Sequence, residues 1–159
     1  MRQRLAPQEL YSLCPRIPKH LRALGETSPG SAITPRLRHL IDLRVSQLNH
    51  CCFCQHMHSE EARQDGERQV RLDVLAAWRE APCFTAQERA ALAWAEALTL
   101  LATQPIPVEA YEEALALFGM NDLLELSTVV LQINSWNRLA VSLQFTPVIE
   151  DAAPRAPDE

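Results

Sequence analysis

Glycine is scarce in this chain, with four among 159 residues. No stretch alternates apolar and polar positions with β-branched side chains, so a sheet-based fold has little to build on. A basic surplus is also missing: 15 Lys and Arg stand against 20 Asp and Glu, for a net charge of −5. That balance argues against a general binder of nucleic acid or other polyphosphates. No uninterrupted apolar run approaches the roughly 20 residues of a bilayer span, so no membrane partner is expected. The stretch from Met1 to Tyr11 carries two arginines but not the apolar segment of a secretory signal. The five cysteines are odd in number, and Cys51, Cys52 and Cys54 are crowded together. A secreted disulfide framework would spread them, so a reducing cytoplasm with reactive or metal-binding thiols is the expected setting.

What is present is helical spacing. Thr34-Pro35 reads as an N-cap followed by proline at the first helical position. Behind it Leu37, Leu40, Ile41, Val45 and Leu48 recur every three or four residues. A second helix is predicted over about 49–65, stopped by Gly66, and a third over about 67–80, ending before Pro82. Thr85 to Glu88 forms a capping box for a fourth. After Pro105 and Pro107, a short helix runs from Val108 to Phe118 and closes at Gly119. The last, about 122–145, is apolar almost all round, which points to a central position or to burial by another subunit. Arg36, Arg38 and Arg44 read as a solvated helix face. Residues before Gly30 are punctuated by prolines, predicting short helices and irregular chain. Residues 1–146 are read as one domain, and 147–159, with three prolines and four acidic residues, as a loosely held tail.

The chemistry concentrates in Cys51-Cys52-Phe53-Cys54-Gln55-His56-Met57-His58. At about 100° per residue, Cys51, Cys54 and His58 fall within roughly 60° of one another around a helix. Cysteines three apart can form a disulfide, and an imidazole four residues beyond Cys54 can accept its proton. Unpaired N–H groups at a helix start favour a thiolate at Cys51, and such settings lower a thiol pKa from about 8.5 to roughly 3.5–7.5. The same spacing is shared by zinc sites, by disulfide oxidoreductases and by inert buried cysteines. Zinc, however, would need a fourth ligand or an open position. Cys14, Cys52 and Cys83 are read as small buried hydrophobes, and His20 and His50 as structural or exposed.

The segment Leu40 to Asn49 followed by Cys51-x-x-Cys54-x-x-x-His58 resembles the carboxymuconolactone decarboxylase superfamily, in its alkyl hydroperoxidase D branch. The resemblance continues through Leu75 to Glu80, Ala90 to Thr99 and Ile133 to Ala140, and spans about 34–145. It implies an all-α fold with the cysteine motif at the start of a helix, and assembly into a trimer or hexamer. It also implies peroxide reduction without a bound cofactor or metal. By position Cys54 corresponds to the peroxidatic cysteine, Cys51 to the resolving cysteine and His58 to the histidine of a proton relay. The reductant it implies is an external dithiol on a lipoyl or thioredoxin-like carrier. One departure concerns the relay. The family's glutamate twelve residues before the first motif cysteine is His39 here, with Asp42 one turn on as a substitute carboxylate. His50 stands where a glycine is common. Two rivals stay open: a non-catalytic or weakly active redox-sensing oligomer, toward which the altered relay leans, and a protein thiol–disulfide oxidoreductase.

Overall fold

The computed structural model describes residues 3–149, whose regular structure is all helical, with no strand among them. Residues 150–159 of the expected tail lie outside the described residues, and Pro147 to Ile149 have no regular structure. The short N-terminal helices are α1 (Pro7–Leu13) and α2 (Arg16–Leu24). They are followed by α3 (Pro35–Leu48), α4 (Cys52–Gln64), α5 (Gln69–Asp73), α6 (Ala86–Thr99) and the long α7 (Val108–Ser142).

Helix α3 starts as its sequence predicts: the Thr34 side chain accepts from the Leu37 N–H and Pro35 occupies the first turn. Such a cap contributes about 1 kcal/mol. At α6 the Thr85–Glu88 box is formed reciprocally. Helices α3, α6 and α7 pack on one another around a core of Ile41, Val45, Ala91, Ala95, Leu126 and Ile133.

The predicted helix over 67–80 is not continuous. It breaks after Asp73, and Leu75–Ala77 form a 3₁₀ turn. In 3₁₀ geometry residues three apart eclipse, which directs both Leu75 and Trp78 into the core against Leu40 and Leu92. Tertiary burial overrides helical periodicity there. The two predicted C-terminal helices are one run interrupted at Gly119, whose φ of 70° lies in the left-handed region open to glycine. That run stops at Ser142, short of Phe145. Gln144 takes φ 55° and the Phe145 N–H reaches back to the Ala140 carbonyl at 2.9 Å. This closure tucks Phe145 against Phe53 at the cysteine motif.

Although its sequence holds no uninterrupted apolar run, α7 is long and apolar enough by composition to cross a membrane. Its inward face, however, carries the amides of a core helix. Asn49 Nδ2 donates to Asn134 Oδ1 (3.0 Å) and Asn137 Oδ1 (2.9 Å), Asn137 Nδ2 donates to Ser46 Oγ (3.1 Å), and Asn134 Nδ2 donates to Thr99 Oγ1 (3.0 Å). Each buried amide is thereby satisfied inside the protein. The network ties the end of α3, just before the cysteines, to the middle of α7.

The arginines expected on a solvated face divide. Arg36 is exposed, but Arg44 is turned inward to Glu96 at 2.6 Å, where Trp78 Nε1 also donates at 2.9 Å and Arg79 adds a second ion pair. A guanidinium stem long enough to reach across α6 makes an intermittent arginine unreliable as a surface marker.

Candidate active site

Helix α4 begins at the cysteine motif because α3 ends just before it. Asn49 caps α3, and His50 turns the chain with φ 53°, a left-handed value that histidine tolerates better than most residues. Cys51 is the N-cap of α4, and its Sγ accepts from the Cys54 N–H at 3.2 Å. Cys51 and Cys54 are joined as a disulfide, with Cα atoms 5.3 Å apart. Both are buried, among Leu10, Ala140 and Phe145. Cys52 points outward and is exposed, contrary to the expectation of burial, because the first turn of α4 presents 51 and 54, not 52, to α7. Cys14 and Cys83 are unbonded and partly buried.

Cys54 opens onto a cavity of about 390 Å³. Tyr11, Phe53, Met57, Trp136 and Phe145 give it an apolar wall, and His58, Asp42, His39, Glu61, Arg22 and Arg38 supply the polar groups. The structure brings Cys54, His58, His39 and Asp42 to the lining of one cavity. Cys51 is bonded to that group from outside the cavity.

The partners of the two histidines could not be read directly. His39 does line the cavity, and its Nε2 is paired with Asp65 Oδ2 at 2.7 Å. The carboxylate on His58 is Glu61, whose Oε2 lies 2.8 Å from Nδ1. Glu61 was not singled out from the sequence. Its signal was the spacing of three on the same helix as His58. With Nδ1 held in this way, His58 Nε2 is buried and has no hydrogen-bond partner among the described residues. Burial alone would push the His58 pKa down, but the Glu61 hydrogen bond and the negative charge of Asp42 outweigh it, so the pKa is raised above 6.5.

Asp42 is buried, and Oδ1 likewise lacks a partner, while Oδ2 lies 3.4 Å from Arg38 Nε. Burial raises its pKa, against the opposing pull of His58 and Arg38. Arg38 is clamped in turn by Gln132 Oε1 at 2.7 Å and by the Gly25 carbonyl. A Cβ at position 25 would come within 2.6 Å of the Gln132 side chain and 2.7 Å of Arg38 Nη2, so a larger residue there would displace the ends of both side chains of this clamp. Among the described residues, no three His, Cys, Asp or Glu side chains form a group that could hold a metal ion.

An all-helical domain with a bonded Cys-x-x-Cys at a helix start, and a histidine one turn beyond it, defines the class. The carboxymuconolactone decarboxylase family matches residues 15–97. The uncharacterized protein YdfG of Bacillus subtilis is 34% identical over 133 residues, covering 84% of this chain and 90% of YdfG. A crystal structure from Agrobacterium tumefaciens, of a protein of unknown function and candidate antioxidant defence protein AhpD, superimposes with a TM-score of 0.84. It is 34% identical, with 94% of this chain and all of that chain covered. An uncharacterized peroxidase-related protein from Silicibacter (TM-score 0.73, 22% identity) covers 88% of this chain and 74% of its own. The debrominase Bmp8 (TM-score 0.69, 17% identity, 89% and 72% covered) shares the fold. The chain belongs to the carboxymuconolactone decarboxylase family, in its alkyl hydroperoxidase D-like branch.

Proposed function

We propose that the chain is a thiol peroxidase that reduces hydrogen peroxide or an alkyl hydroperoxide through Cys54. The observation that carries this reading is the bridged pair itself, with Cys54 on a cavity it shares with a buried, carboxylate-held His58. In the reduced protein His58 Nε2 takes the Cys54 proton, and the thiolate attacks the distal peroxide oxygen. The O–O bond breaks, Cys54 becomes a sulfenic acid, and the alkoxide or hydroxide leaves as alcohol or water with the proton from His58. The Cys51 thiol then attacks the sulfenic sulfur, releasing water and forming the disulfide. Turnover needs a dithiol reductant, for which a lipoyl or thioredoxin-like carrier is the candidate.

The apolar wall of Tyr11, Phe53, Met57 and Trp136 suits an organic hydroperoxide as well as hydrogen peroxide. We place the protein in the reducing cytoplasm, which is consistent with three unbonded cysteines. A homo-oligomer is supported by Leu117, Met120, Leu124 and Leu131, all exposed along α7. The test is peroxide consumption by the protein supplied with a dithiol. Wild type should turn over and Cys54→Ser should not; equal consumption by both would refute the assignment.

A further inference from the structure

The Cys51–Cys54 bridge lies between two cavities. The larger, described above, is lined by Cys54 but not by Cys51. A second, of about 290 Å³, is lined by Cys51, with His50, Cys52, Val141, Gln144 and Pro147, and not by Cys54. Phe53, Ala140 and Phe145 line both and form the wall between them. The closure of α7 at Gln144, with Phe145 tucked back, is what builds this wall.

We propose that the second cavity is the reductant entrance, where a dithiol carried on a narrow, uncharged arm attacks Cys51 while peroxide is served from the Cys54 side. The inference rests on the peroxidase reading and adds a route for the reductant. Thiol–disulfide exchange is an in-line displacement, and its rate depends on which sulfur can be reached and on how well the other one leaves. A cavity touching Cys51 alone offers approach from the side away from Cys54. Among the described residues its lining contains no carboxylate, lysine or arginine, and its volume admits an arm but not a folded domain.

The chemistry agrees with this direction. The reductant thiolate bonds to Cys51 Sγ, the Cys51–Cys54 bond breaks, and the electron pair leaves on Cys54, beside the His58 that can supply a proton. The arm's second thiol loses its proton and attacks the arm sulfur of the mixed disulfide. Cys51 then leaves as a thiolate at the helix start, where the Cys54 N–H already points to its sulfur. The dithiol is oxidised to a disulfide by two electrons; one of its two protons restores the one His58 gives to Cys54, and the other is released, leaving Cys51 as the thiolate.

The test begins with protein oxidised by diamide, so its outcome does not depend on peroxide chemistry. Reduction by 2-mercaptoethanol is quenched with iodoacetamide and mapped by peptide mass spectrometry. The expected product carries the mercaptoethanol adduct on Cys51 and the alkyl group on Cys54; the reverse labelling would overturn the proposal. Reduction by dithiothreitol and oxidation by cumene hydroperoxide are then timed separately in Val141→Trp and Met57→Trp, which fill opposite mouths. Val141→Trp should lower the reduction rate roughly tenfold relative to the oxidation rate, and Met57→Trp should do the reverse. If both variants move both rates together, or if Val141→Trp changes only the assembly size by light scattering, the second cavity is not the reductant entrance.

Discussion

His58 Nδ1 lies 2.8 Å from Glu61 Oε2, three residues further along the same helix, so the imidazole that shares its cavity with Cys54 is held by a carboxylate of its own element. This contact fixes which ring nitrogen is turned to the cavity. It also supplies negative charge that favours an imidazolium, which in the proposed mechanism would favour a Cys54 thiolate in the reduced protein.

Glu61→Gln should therefore move the peroxidase pH profile upward. Without that charge His58 gains a proton less readily and Cys54 ionises at higher pH. A shift of one unit would lower the rate below neutrality by about tenfold. Stability gives an independent check. The His58 pKa is raised, so its contribution is complete below 6.5 and fades as pH climbs through the raised value. The Glu61 pKa is lowered, mainly by the His58 hydrogen bond, so its contribution is complete above 4.5 and fades as pH falls through the lowered value. The stability difference between wild type and Glu61→Gln, from urea titrations, should be largest between those two pH values. A flat difference would exclude the pair as a titrating unit.

His39→Glu exchanges the Asp65 contact for a carboxylate on the cavity wall. Added negative charge near His58 should carry the activity profile to lower pH and raise the rate near neutrality. The lost Asp65 contact should cost little, since that carboxylate is half exposed. Peroxide consumption followed across pH tests both effects. An unmoved profile in His39→Glu and in Asp42→Asn would place both residues outside the relay.

Glu96 on α6 accepts hydrogen bonds from Arg44 and Trp78 and pairs with Arg79. Burial raises its pKa, but hydrogen bonds from Trp78, Arg79 and Arg44 more than offset this and leave it lowered. Glu96→Ala leaves Arg44 without its carboxylate and should cost about 3–5 kcal/mol in urea-induced unfolding. The wild-type advantage should be present above pH 4.5 and shrink as pH falls below it. A loss under about 1 kcal/mol would mean that the cluster is solvated in solution.

The exposed apolar stripe on α7 predicts assembly. Light scattering should give a mass that is a multiple of 17.9 kDa, and Leu124→Asp with Leu131→Asp should shift it toward the monomer. A wild-type monomer at micromolar concentration would refute the oligomer.

The sequence made some parts of this molecule readable and hid others for identifiable reasons. Local signals were reliable: Thr34-Pro35, the Thr85–Glu88 box and Gly119 each mark a helix start or break, and each depends on only a few residues. Cys51, Cys54 and His58 were legible because spacings of three and four put them on one face over two successive helical turns. Contacts that close over long separations were not. Nothing near Arg44 announces Glu96, and nothing near Arg38 announces Gln132 or Gly25. The inward turn of Phe145 depends on a left-handed Gln144, a conformation that glutamine does not advertise. Glu61 was within reach, since its spacing from His58 is local, three residues further along α4.

The Cys51 cap on α4 has a consequence for motion between half-reactions. In the bridged form the helix start is anchored covalently, and the Cys54 amide hydrogen is directed at the Cys51 sulfur. Once the bridge opens, that sulfur as a thiolate becomes a stronger acceptor for the same amide. One anchor replaces the other, so the first turn of α4 has no reason to fray when electrons arrive. Amide hydrogen exchange across Phe53 to Gln55 should then be nearly equal in the oxidised and reduced protein. The two redox states would share one scaffold, and the speed of cycling would be set by delivery of the reactants rather than by refolding of the helix.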